Sequence, residues 1–122
     1  MILLDTNALI WLNQSHKRAR PLQRERRRLY ISPASVLELQ FLHESGRIRL
    51  PGGSVQSIVD DERWTLDEAP SAAWFLRSVE LMWTRDPFDR LIAAHAQVRR
   101  WRLATSDGLL AEQFGPSACI LL

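Results

Sequence analysis

The opening five residues constrain this chain more than any other stretch. Ile2, Leu3 and Leu4 make an apolar run without alternation, the pattern of a strand buried on both faces, and Asp5 follows at once. In a parallel α/β sheet, ligands gather at the carboxyl ends of the strands. An acid there is either the cap of the next helix, here the segment leading through Ala8 to Leu12, or one wall of a site. Position alone leaves both readings open.

With 122 residues, 46% of them apolar and 25% charged, the chain has the make-up of an ordinary soluble domain, and one domain spanning residues 1–122 is expected. No stretch approaches the roughly 18 apolar residues of a membrane span. The N-terminus lacks the basic region and small-residue cleavage site of a secretory signal. The single cysteine, Cys119, cannot form an intrachain disulfide and belongs to the core. These features point to a cytoplasmic protein that does not meet a membrane.

The net charge of +2 is unevenly spread. Lys17, Arg18, Arg20, Arg24, Arg26, Arg27 and Arg28 crowd twelve residues, and Arg99, Arg100 and Arg102 form a second cluster. Each is either a solvated face or a phosphate-facing surface, since clustered cations release counterions from nucleic acid.

Taken in order, a helix is expected from Asn7 to about Gln14, then a break at Ser15–Pro21 and a short basic helix over Leu22–Arg28. A second strand covers Leu29–Ile31. Ser32 followed by Pro33 starts a helix that runs to Ser45, with Gly46 as its stop. Val36, Leu37, Leu39, Phe41 and Leu42 form its apolar surface, and Glu38 lies at the edge of that surface. A short helix follows Ser54, a third strand covers Arg63–Asp67, and a helix spans Ser71–Met82 with Trp74, Phe75, Val79 and Met82 as core. Asp86 and Pro87 start another helix, with Asp89 at the third position, where an acid reaches back to the cap. His95 has no partner at ligand spacing and reads as structural. Trp101–Thr105 is a fourth strand, followed by Ser106 and Asp107, and Ile120–Leu122 a fifth. Strands alternating with helices predict a three-layer α/β/α sandwich on a mainly parallel sheet.

Asp5 and Asp107 thus fall at strand ends, and Glu38 and Asp89 in the first halves of helices packed on the sheet. In a doubly wound fold these positions can meet at one crevice. Clustered carboxylates repel one another, and a divalent cation resolves the repulsion. Oxygen-only ligands select a hard ion, Mg²⁺ or Mn²⁺, which acidifies a bound water and neutralises charge on a phosphate. Thr6, Thr105 and Ser106 would donate hydrogen bonds there.

The stretches LLDTNALIWL, SPASVLEL, RDPFDRLIAAHA and LATSDGLL, in this order, resemble a PIN-domain nuclease, and among these the VapC-type toxins of type II toxin–antitoxin pairs. The resemblance runs the length of the chain. It implies that Asp5, Glu38, Asp89 and Asp107 are the catalytic acids that hold Mg²⁺ or Mn²⁺, supported by Thr6, Asn7, Asp86, Thr105 and Ser106, with Asp86 better read as a helix cap. It further implies endoribonuclease activity on tRNA, rRNA or mRNA, a homodimer, and inhibition by a VapB-type antitoxin. Arg24, Arg27, Arg28 and Arg85 are candidate contacts to RNA or antitoxin, and Trp11 and Trp83 belong either to the core or to an antitoxin groove. A PIN fold that no longer cuts and serves as an RNA- or protein-binding module is the alternative, against which the complete set of four acids argues. A receiver-like signalling domain would want a lysine after a late strand, whereas Lys17 is the only lysine.

Overall fold

The computed structural model describes residues 1–122. Its centre is a sheet of five strands: β1 (Ile2–Leu4), β2 (Leu29–Ile31), β3 (Thr65–Leu66), β4 (Arg102–Thr105) and β5 (Cys119–Leu121). Their order is β3-β2-β1-β4-β5, and every pairing is parallel. Seven α-helices make the crossovers: α1 (Thr6–Asn13), α2 (Arg20–Gln23), α3 (Pro33–Glu44), α4 (Gln56–Val59), α5 (Ser71–Val79), α6 (Pro87–Arg99) and α7 (Gly108–Phe114). The expected α/β/α sandwich is what the chain adopts.

β1 is the middle strand, and Ile2, Leu3 and Leu4 have no solvent exposure. Successive side chains of a strand point to opposite faces, so β1 feeds two cores. Ile2 and Leu4 join Ala8, Leu9, Leu12, Leu39, Ile58 and Trp64 on one face. Leu3 joins Trp74, Ile92, Ala93, Ala96, Leu103 and Leu110 on the other. The small residues Ala93, Ala94 and Ala96 are fully buried, which lets the α6 backbone approach its neighbours closely. Cys119 is buried, as expected. No helix is long and apolar enough to cross a membrane.

Three expectations fail for identifiable reasons. The basic helix forms over Arg20–Gln23 rather than Leu22–Arg28, because Pro21 suits a first turn and Glu25 then captures the Arg26 and Arg27 amides at 3.0 and 3.1 Å, bonds that compete with helix. Phe75, Val79 and Met82 are exposed rather than core, and α5 ends at Val79; only Trp74 of that set is buried. On α3, Leu39 is buried while Leu37 and Phe41 are exposed.

A buried polar network ties three elements together. His95 on α6 meets Ser32, the cap of α3, through Nδ1 at 2.9 Å, and Asp67 after β3 through Nε2 at 2.7 Å. Ser32 Oγ in turn accepts from the Ala34 amide, and Arg99 donates to both oxygens of Asp67. A neutral His95 that donates to Asp67 and accepts from Ser32 satisfies every bond. The structural reading of His95 holds. Burial, working against the pull of Asp67, holds the imidazole below its usual 6.5. The folded protein therefore resists protonating it, and the stability it contributes is complete above pH 6.5 and is lost as pH falls below that value. His95→Gln should lower the thermal midpoint at neutral pH, and the gap between parent and variant should narrow from about pH 7 to about pH 5, which isolates His95 from the raised carboxylates that titrate in the same range.

Candidate active site

Each candidate acid owes its place to a strand end or a helix start. Asp5 follows β1, and its amide donates to the Ala104 carbonyl of β4 at 2.9 Å, which sets it beside Thr105–Asp107. Its carboxylate accepts from the Ala8 amide at 2.7 Å, so Asp5 also caps α1. The two readings of Asp5 are compatible, because a carboxylate has about four lone-pair sites and the cap uses one. Asp107 caps α7 by accepting from the Leu109 and Leu110 amides, and its own amide donates to Thr105 Oγ1 at 3.0 Å. Asp86 caps α6 in the same way through the Phe88 and Asp89 amides.

Asp89 behaves differently. A capping box would have its carboxylate on the Asp86 amide, yet that amide donates to Thr84 Oγ1 at 3.2 Å. The Asp89 side chain is left free of structural duty. Its pKa is pushed up to about 7, first by burial and then by the charges of Asp86, Glu38, Asp107 and Asp5. Glu38 is raised as well, by burial first, with the Thr6 hydroxyl opposing and Asp86 and Asp5 adding to the rise. Burial also raises Asp5, against the bonds from Thr105, Ala8 and Ser106, with Asp107 as the neighbouring charge. Five carboxylates thus share one electrostatic field. None of the four arginine–carboxylate ion pairs in the protein involves any of them.

The hydroxyl residues line the same place. Thr6 Oγ1 lies 3.1 Å from Ser35 Oγ in a buried contact, linking the start of α1 to α3 one turn before Glu38. Asn7 Nδ2 donates to Ser106 Oγ at 3.4 Å on the exposed side. Ser35 was not among the expected site residues, although its spacing of three from Glu38 on a helix puts both on one face. No group of three or more His, Cys, Asp or Glu side chains is gathered tightly enough to hold a metal ion as placed. The donor chemistry nonetheless fits a hard divalent cation: oxygen ligands alone, mutually repelling and without a counter-charge.

The basic candidates divide. Arg85 is exposed immediately before Asp86 at the head of α6. The carbonyl of Arg28 accepts from the Ile2 amide at 2.9 Å, which places the end of the basic run at the amino end of β1, away from Asp5. Arg27 is held there by both oxygens of Glu25 at 3.0 Å, and Arg24 precedes it on the same approach to β2. Of the two tryptophans, Trp11 stacks on His16 at 5.3 Å with the Arg18 guanidinium over its ring, and Trp83 packs partly buried against the second core.

Several solved structures share this architecture. A chain of a toxin–antitoxin complex from Klebsiella pneumoniae superposes with a TM-score of 0.71 at 22% identity, covering 98% of this chain and 96% of that one. A chain of VapBC2 from Rickettsia felis, bound to a promoter DNA fragment, gives 0.66 at 22% identity, covering 100% and 98%. A chain of FitAcB from Neisseria gonorrhoeae gives 0.57 at 22% identity, covering 92% and 94%. None of the curated proteins matches the sequence. Likeness at such identity speaks for the fold alone, but residues 2–113 also match the PIN domain family. The parallel five-stranded sheet and a family match over nearly the whole length agree, and the chain belongs to the PIN domain family.

Proposed function

We propose that this protein is a divalent-metal-dependent endoribonuclease and the toxin of a toxin–antitoxin pair. The observation that carries the reading is the set of four carboxylates, Asp5, Glu38, Asp89 and Asp107, brought together from two strand ends and two helices without a cation paired to any of them. Those four would hold Mg²⁺ or Mn²⁺. A bound ion supplies a more acidic water and neutralises charge on the phosphate. The chain's own groups do the positioning. The Ala8 amide fixes the Asp5 carboxylate, and Thr6, braced on Ser35, lies beside Glu38. Ser106 and Asn7 offer donors to a phosphate on the open side, and Arg85 attracts the RNA backbone.

The solved complexes named above support an antitoxin partner, since the first is described as a toxin–antitoxin complex. A homodimer is supported by an exposed apolar face. Leu37 and Phe41 are exposed on α3, where the Phe88 ring of α6 meets Phe41 edge-on at 5.6 Å, and Phe75, Leu76 and Val79 are exposed on α5, which packs on α6. Met82 beyond it is 77% exposed. Apolar surface of this kind usually marks an interface.

Incubation with total RNA and Mg²⁺ or Mn²⁺ should give cleavage that EDTA abolishes. Asp5→Asn should reduce it at least about 100-fold, the upper end of what changes outside a metal's direct ligands cost. The same variant should melt no lower than the parent, because Asn caps a helix as well as Asp and removing one charge relieves repulsion. Equal cleavage by parent and variant would sink the mechanism, and a pure protein that binds but never cuts RNA would leave a silent binding module. In light scattering, the parent should be dimeric, and Phe41→Glu combined with Val79→Glu should convert it to a folded monomer; a monomeric parent at all concentrations would remove the dimer.

A further inference from the structure

A second site lies at the other end of the sheet. The last turn of α6, the start of β4 and the end of α7 enclose a cleft of about 320 Å³, lined chiefly by Gln97, Arg100, Trp101, Arg102, Gln113 and Phe114. It opens at the amino end of β4, whereas Asp107 follows that strand's carboxyl end. No acid lines it.

Two side chains of this cleft carry polar atoms that are shut off from water and have no hydrogen-bond partner: Gln97 Oε1 and Arg102 Nε. The whole protein has only one other such atom, on His43. A buried polar group left unbonded is costly, and each one asks for an explanation. Two in one cleft ask for a shared one. Arg102 is held in place, since its Nη2 donates to the Cys119 carbonyl at 2.9 Å. Arg100 is exposed, and it occupies a left-handed position at the end of α6 (φ 58°), where Gly or Asn is the usual choice.

We propose that the cleft binds a small organic phosphate of about mononucleotide size. Two arginines lining the cleft match the charge of a phosphate monoester, which lies near −2 at neutral pH. Gln97 Oε1 calls for a hydroxyl or N–H donor on the same molecule. Trp101 and Phe114 supply an apolar wall for its organic part. The volume falls at the small end of ligand pockets, which suits a molecule of this size. In the bound state the Gln97 amide would turn to present Oε1, and Arg102, kept on the Cys119 carbonyl through Nη2, would offer its remaining N–H groups. The inference is independent of the nuclease reading.

The test uses the full chain in EDTA, with AMP and ribose 5-phosphate as probes and adenosine and inorganic phosphate as controls. At least one probe should bind by calorimetry and raise the thermal midpoint by several degrees at saturation, while each control binds at least tenfold more weakly. Arg100→Gly, which suits the left-handed backbone, and Gln97→Leu should each weaken binding at least tenfold in a folded protein. Asp5→Asn should bind as the parent does, which separates this cleft from the acid site. Failure of both probes, binding indifferent to Arg100→Gly and Gln97→Leu, or inorganic phosphate binding as tightly as the probes would overturn the proposal.

Discussion

β1 is bonded to a neighbour on both edges and covered on both faces, so no charge fits anywhere along it. The first polar side chain must wait for the strand to end, and that residue is Asp5. The same constraint acts on the middle of β4, whose Leu103 and Ala104 are fully buried, with Arg102 at its start and Thr105 and Asp107 at and beyond its end. Adjacent parallel strands end level with one another, so burying the middle of the sheet gathers acids along one edge. The fold and the placement of these acids share one cause.

What gathers there is out of electrostatic balance. Burial and mutual repulsion raise Asp5, Glu38 and Asp89 together, and the helix starts beside them offset only part of this through amide donors and dipoles. Asp86 and Asp107 spend oxygens on capping, whereas Asp89 spends none. A cluster of this kind is a cost in the free protein that a cation or a substrate-bearing state offsets, which is the usual signature of a functional site. The Ser32–His95–Asp67–Arg99 network works the other way. Every charge in it is matched, and it fastens α3 to α6, the two helices that carry Glu38 and Asp89.

Much of this was legible in the residues. Ser32–Pro33 and Asp86–Pro87 announce helix starts, and an apolar run followed by an acid announces a strand end, because caps and buried strands are decided by local chemistry. The exposed faces were not legible. Phe75, Val79 and Phe41 look like core on a helical pattern, since periodicity reports which residues share a face and not whether another element covers it. The basic run showed the same limit. Its charge is evident, but that Arg28 pairs with Ile2, at the strand end opposite Asp5, depends on where β2 lies beside β1.

The sequence by itself thus determined the element types, their parallel alternation and which acids follow strands or open helices, through patterns that act over a few residues. Tertiary structure alone decided three further matters. Asp5 caps a helix while keeping oxygens to spare, Asp89 is released from capping because Thr84 takes its place, and Gln97 and Arg102 line one cleft with one unbonded polar atom each. Each depends on side chains competing for the same hydrogen bond or sharing the same space, and such competition is settled only when the segments pack.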